Sequence, residues 1–428
     1  MRKNWHHILN TIFPIGLLAF LAVLFSMMGK KEISTSEKRK LTAFPALNWQ
    51  TWTDGSFTRT LEDYISDHFV YREDIIAGTD GIKNAFGIAR KSNEGKFIAI
   101  KKKKAAIKTK KTTLVIDSNY TVALDTGAEL LLTNGVFIYD SCSYQFFGGN
   151  SYSSARYANM YNAVVEHLPK HIKYYAVLVP SSTEFNLPPS TYRYKANSET
   201  KGIHYIYSGL NEKIGKADVY NHMKAHRKEY LFFKTDHHWT ARGAYYAYEA
   251  FCEIADISPL TLGQMPSKFV GGPFLGSLYQ LTHDPTLKAN PDRLEIFDIP
   301  FNGAKAFYKF DANQTQWTPT KIVYKNGEFG IGYGVFLGLD YPVMRIDGPQ
   351  KNGRRLFILK ESYANAFVPF LVPHFEQIFV ADVRYFPYKI DKFIEEYNIN
   401  EFLMMNQLVM ANNPYTPQKV LNMLKGKQ

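Results

Sequence analysis

Apolar positions along this chain follow three different patterns. From Ile8 to Met28 they are nearly continuous, 21 residues without a charge, ILNTIFPIGLLAFLAVLFSMM. As a helix this stretch would be roughly 31 Å long, about the thickness of a bilayer core. Phe57, Leu61, Tyr64, Ile65 and Phe69 then fall at i, i+4, i+7, i+8 and i+12, which predicts an amphipathic helix. A second helical run is expected from Ile75 to Phe86. Further on, short apolar runs alternate with helical periodicity. Gly135–Tyr139, Tyr174–Pro180, Leu356–Leu359 and Gln377–Ala381 read as strands. Tyr152–Leu168 and Ala241–Ile254 read as helices, the second with Thr240 as its N-cap. Another helix is expected near Gly209–Lys216, and one after Ser362 to about Val372. Strand, helix and strand in alternation predict βαβ units: an α/β fold with a parallel sheet in three layers.

This pattern divides the chain into three segments. Residues 1–29 would be a short cytoplasmic tip and a transmembrane helix, residues 30–111 a helical and Lys-rich connecting region, and residues 112–428 the catalytic domain. The apolar stretch is longer than a usual signal-peptide core and no Ala-x-Ala precedes its end, which favours an uncleaved single-pass anchor. Lys30, Lys31, Lys38, Arg39 and Lys40 outnumber Arg2 and Lys3 across it, so the positive-inside count alone would leave the body in the cytoplasm.

Charge sharpens the division. The chain carries a net +12, but residues 1–111 hold 20 basic and 10 acidic residues, and residues 112–428 hold 31 and 29. Basic character therefore lies outside the expected catalytic body, which argues against a nucleic-acid enzyme. Seven lysines between Lys101 and Lys111 read as a solvated loop. Two cysteines, Cys142 and Cys252, form neither a disulfide framework nor a CxxC metal knuckle.

The chemistry concentrates in Thr235-Asp236-His237-His238-Trp239-Thr240. In an extended backbone residues two apart share a side, so Asp236 would reach the ring of His238 while His237 faces away. A carboxylate that orients an imidazole is two thirds of a nucleophilic triad. Ser362 is the candidate for the remainder. It follows an apolar strand and precedes a helix, at the carboxyl edge where open α/β sheets place their chemistry, and unpaired N–H groups of that helix start would hold an oxyanion. A serine there is also an ordinary N-cap, and that reading stays open. His222 and His226, four apart, form no zincin motif, because Met223-Lys224-Ala225 supplies no Glu base. No metal or cofactor is expected.

The run Asp236-His237-His238-Trp239 resembles the signature of the DHHW proteins, which are related to SGNH-hydrolase-like O-acetyltransferases of exopolysaccharide pathways, the alginate O-acetylation type included. Looser matches are Ser36–Leu41, Ser66–Arg72, Val179–Ser182, Gly276–Tyr279 and Asp382–Phe386. The resemblance implies an SGNH-like sheet with permuted triad order, Asp-x-His preceding Ser. It implies that Asp236 orients, His238 acts as base and Ser362 carries an acetyl group, with Arg384 as a substrate contact. It also implies an extracytoplasmic body at the cell membrane, which overrides the charge count, a cell-surface polysaccharide acceptor and a membrane-bound acyltransferase as acetyl donor. Two alternatives stay open: a carbohydrate acetyl esterase using the same residues, and a non-catalytic polysaccharide-binding or scaffold protein of an acetylation complex. Where those relatives carry a small residue before the serine, this chain has Glu361, whose charge would oppose an oxyanion unless it points away.

Overall fold

The computed structural model describes residues 33–34, 39–40, 42–68, 96–99, 135–187, 197–325 and 332–426. The chain forms two compact units, residues 1–90 and 91–428. In the first, the expected amphipathic helix runs over Ser56–Asp67. The expected transmembrane stretch Ile8–Met28, the helix Ile75–Phe86 and the lysines after Lys101 lie outside the described residues. Among those described, no helix is long and apolar enough to cross a membrane.

The second unit is built on strands β1 (Lys173–Val179), β2 (Ile214–Lys216), β3 (Ser267–Phe274), β4 (Asp292–Phe297), β5 (Lys305–Lys309), β6 (Thr318–Thr320), β7 (Val343–Asp347), β8 (Arg355–Lys360), β9 (Gln377–Asp382) and β10 (Glu401–Gln407). Eight of them make one sheet in the order β6-β5-β7-β9-β8-β10-β1-β2. The five strands β9, β8, β10, β1 and β2 pair in parallel. The remaining three, β7, β5 and β6, extend the sheet antiparallel. The parallel sheet expected from the βαβ pattern is thus a mixed one. Strand β7 alternates apolar and polar positions over Met344-Arg345-Ile346-Asp347, as suits a sheet flank that is not covered on both faces.

The central strands are apolar on both faces because helices cover both. Phe357, Leu359, Ala176, Leu178, Phe402 and Met404 join one core with helices α1 (Ser151–His167), α2 (Glu199–Gly209), α4 (Ile390–Glu396) and α5 (Tyr415–Lys425). On the opposite face lies α3 (Ala241–Ile254), whose Phe251 meets Tyr175 edge-on at 5.3 Å. Thr240 caps α3 as expected, its hydroxyl accepting the Gly243 N–H at 3.2 Å. The helix expected near Gly209–Lys216 is absent: α2 ends at Gly209, and Ile214–Lys216 is edge strand β2. Residues His204–Tyr207 belong inside α2, which Ser198 starts by accepting the Lys201 N–H. Neither cysteine is in a disulfide.

Strand β8 sits at the reversal of strand order: the chain passes from β8 to β9 on one side, then crosses to β10 on the other. A crevice at the carboxyl end of such a strand is the usual place for a ligand in an open α/β sheet.

Candidate active site

Ser362 lies two residues beyond the end of β8, on that rim. The segment after it is not one continuous helix. A 3-10 turn (Ser362–Ala366), a short α-helix (Val368–Leu371) and a second 3-10 turn (Val372–His374) follow in succession, broken up by Pro369 and Pro373. Glu361, not Ser362, caps this turn, its Oε2 accepting the Tyr363 N–H at 3.0 Å. Ser362 is therefore not the N-cap of this turn. With capping done by its neighbour, the Ser362 hydroxyl is available for His238, whose Nε2 lies 2.8 Å from Ser362 Oγ.

The Asp236–His238 pair forms by a different route from the one expected. Residues 234–238 bend between an isolated bridge of Phe232 and Trp239 and are not extended. Asp236 Oδ1 accepts the His238 N–H at 2.9 Å, an Asx turn, and the same oxygen lies 2.5 Å from His238 Nδ1. With Nδ1 protonated toward the carboxylate, Nε2 presents a lone pair to the serine. Asp236, His238 and Ser362 are all buried. His237 does not face away: its ring lies 3.8 Å from that of His238, tilted by 37°, and its Nδ1 lies 2.6 Å from Ser277 Oγ.

Trp239 and two tyrosines brace this arrangement, and sequence reasoning gave none of them a role. Trp239, fully buried, donates Nε1–H to the Tyr363 carbonyl at 2.9 Å. Tyr363 returns its hydroxyl to the His237 carbonyl. Tyr333 lies flat on the far face of the His238 ring and donates its hydroxyl to the same Tyr363 carbonyl at 2.7 Å. The turn that carries His238 and the turn that carries Ser362 are therefore tied at several points. Nothing in local spacing marks Tyr333, which comes from a 3-10 turn (Tyr333–Val335) almost a hundred residues away.

The Glu361 carboxylate stands beside Ser362 but is held chiefly by backbone donors. Its Oε1 accepts the Gln407 N–H at 2.8 Å, and Oε2, bonded to Tyr363, remains 3.5 Å from Ser362 Oγ. Burial raises its carboxyl above the ordinary range, opposed by those two N–H donors and by His238 and Arg384. The expected oxyanion donors at this helix start are altered by the same residue. The Tyr363 N–H is spent on the Glu361 side chain and the Ala364 N–H on the Glu361 carbonyl.

Arg384 stands two residues past β9. Its guanidinium is bound to Asp382 through Nε and Nη2, at 2.8 and 2.7 Å, and Nη2 is 2.7 Å from Asp340. Lys360, fully buried, completes the cluster at 3.3 Å from Asp340 and 3.2 Å from Asp382. Burial would raise the Asp340 carboxyl, but Lys360 and Arg384 hold it well below the usual carboxylate range. Arg384 is thus first a member of an ion cluster, with its side chain about a third exposed (32%).

Asp236, His237 and His238 are also the one described group whose donors lie close enough together to hold a metal ion. Their atoms are instead engaged with each other, with Ser362 and with Ser277. His222 and His226 do not form a ligand pair: the first meets Glu253 at 3.1 Å and the second stacks on Tyr246 at 3.8 Å.

The sequence profile of the DHHW protein family matches residues 115–381. A DHHW family protein from Eubacterium siraeum is similar in structure, with 29% identity and a TM-score of 0.59, covering 68% of this chain and 95% of that one. PatB1 of Bacillus cereus shares the fold. Its structure with a sulfonyl adduct matches at 20% identity and a TM-score of 0.54, over 69% of this chain and 98% of that one. A second PatB1 structure matches at 22% and 0.52, over 66% and 98%. No curated protein is similar to the chain at a significant level.

Proposed function

We propose, on the premise that this chain belongs to the DHHW protein family, that it is an O-acetyltransferase acting on a cell-surface polysaccharide through an acetyl-serine. The observation that carries this reading is the buried relay from Asp236 through His238 to Ser362 Oγ, with 2.5 and 2.8 Å between successive atoms. A serine hydroxyl is a weak nucleophile until a base takes its proton, and this relay supplies the base.

In the first half-reaction Ser362 Oγ bonds to the acetyl carbonyl carbon while its proton passes to His238 Nε2. Collapse of the tetrahedral intermediate breaks the bond to the donor oxygen, which leaves with the proton from Nε2. In the second half-reaction His238 takes the proton of a sugar hydroxyl, that oxygen attacks the acetyl-serine, and Ser362 recovers its proton. Asp236 holds the tautomer and the imidazolium in both halves. The exposed third of Arg384 is the part of its side chain offered to substrate. In this reading Ile8–Met28 anchors the chain in the cell membrane with the body outside the cytoplasm. A membrane-bound acyltransferase then supplies the acetyl group.

Intact-mass spectrometry after incubation with an activated acetyl ester tests the reading. An adduct of about 42 Da, present on the parent chain and absent from Ser362→Ala, identifies the nucleophile. Adding polysaccharide oligomers then distinguishes acetyl transfer to sugar from transfer to water. A parent that forms no adduct and turns over no ester is not this enzyme.

A further inference from the structure

The catalytic aspartate is itself held by a structure outside the triad. Asp292, at the start of β4, is buried, and its carboxylate gathers donors from a single turn. Oδ1 accepts the Lys234 N–H at 2.7 Å and the Tyr230 hydroxyl; Oδ2 accepts the Thr235 N–H at 2.8 Å and the Thr235 hydroxyl at 2.5 Å. A carboxylate with four donors fixes the backbone that immediately precedes Asp236.

The same hairpin returns to the other side of that turn. Strand β3 pairs with β4, Phe274 opposite Asp292, and leads directly into Gly276 and Ser277. The Gly276 N–H donates to Thr235 Oγ1 at 2.8 Å. The Ser277 N–H donates to Asp236 Oδ2 at 2.8 Å, on the oxygen that His238 does not use. The approach is so close that a Cβ on Gly276 would lie 2.2 Å from Asp236 Cβ, so only glycine fits. Thr235 Oγ1 is the hinge pin: it donates to Asp292 and accepts from Gly276, joining the two arms of the grip.

We infer that the β3–β4 hairpin is a positioning clamp, in which Asp292 and Gly276 act through Thr235, and Ser277 directly on Asp236, to set the Asp236 carboxylate against His238. Asp292 and Thr235 touch no reacting atom. Their role is to keep the Asp236–His238 bond short, and catalytic geometry of this kind loses about 10²-fold in rate for roughly 1 Å of misplacement. Among the described residues, the groups that face His238 besides Asp236 are Ser362, His237, Tyr333, Tyr363 and Glu361. None of them is altered by the test below.

The inference rests on the proposed triad chemistry, so the test reads the clamp in two independent ways. Full-length wild type, Thr235→Ser, Thr235→Val and Asp292→Asn are compared per folded molecule, well below their melting temperatures. The first readout is hydrolysis of an activated acetyl ester against pH. The second is the far-downfield proton resonance of His238 Nδ1–H, assigned by its loss in His238→Gln. A loosened Asp236 stabilises the imidazolium less. The acid limb of the rate profile therefore moves to lower pH, kcat falls between ten- and a hundredfold with KM little changed, and the resonance shifts upfield or disappears. Thr235→Val and Asp292→Asn are expected to do this, and Thr235→Ser, which keeps the bridging hydroxyl, to behave as wild type. Thr235→Val, the milder change, keeps the test open where Asp292→Asn does not fold. An unchanged acid limb and resonance in Thr235→Val overturns the clamp, whatever happens to stability. A wild type that turns over no ester, but whose resonance still moves in Thr235→Val, keeps the clamp and sinks the catalytic reading.

Discussion

Tyr333 lies flat against His238, ring centroids 3.7 Å apart and planes 7° from parallel. The face of a phenol ring carries negative charge density, so it favours the imidazolium that the proposed mechanism forms at His238. The contact also fixes the plane of the ring, and with it the direction of Nε2. Burial pushes the Tyr333 phenol well up, so its hydroxyl stays protonated and keeps donating to the Tyr363 carbonyl.

Removing that floor should be costly. Tyr333→Ala is expected to lower kcat about 10²-fold through misorientation of the base. Tyr333→Phe keeps the stack but leaves the Tyr363 carbonyl with only Trp239 as donor, and should lose less. Steady-state kinetics on the two variants decides it; equal losses would mean the hydroxyl, not the stack, matters.

Asp236→Asn keeps the shape of the turn but offers a wrong partner to Nδ1. The equivalent change in a serine protease costs about 10⁴ in kcat, and the same order is expected here. A loss smaller than about tenfold in ester turnover would make Asp236 a structural residue of the Asx turn.

Lys360→Met strips one cation from a buried cluster that holds two carboxylates, Asp340 and Asp382. Leaving buried charge under-compensated typically costs about 3–5 kcal/mol. Urea unfolding should report a loss of that order. A change under about 1 kcal/mol would show that Arg384 alone neutralises both acids.

Glu199 gives a pH signature. Burial raises its carboxyl to about 7, opposed by the Ser181 hydroxyl and N–H it accepts. The folded state therefore holds its proton more tightly than the unfolded chain, whose group titrates near 4.5. This contribution is fully present below pH 4.5 and is lost as pH rises toward 7. The loss is on the order of 3 kcal/mol for a shift of this size. Denaturant titrations of wild type and Glu199→Gln at several pH values should show their stability difference moving by that order between pH 4.5 and 8. A difference that stays flat across this window would leave Glu199 outside the pH response.

The sequence by itself determined the elements with strong local signals: the buried strands at Tyr174, Leu356 and Gln377, the helices after Ser151 and Thr240, and the amphipathic helix near Phe57. It also marked Asp236, His238 and Ser362, because an Asp-x-His pair and a serine at a strand-to-helix turn are both local. Tertiary structure decided the rest. The antiparallel flank of β5–β7 depends on strand order, which periodicity does not encode. The strand at Ile214 was mistaken for helix because three residues carry no usable period, and their pairing with β1 alone makes them a strand. Ser362 is freed from capping by the side chain of Glu361. Asp236 and His238 meet through a bend that local spacing had made look extended. Tyr333, Asp292 and Ser277 reach the triad from distant segments of the chain. Local sequence fixes which backbone states are cheap; which side chains converge on one imidazole is settled only when strands distant in sequence pack side by side.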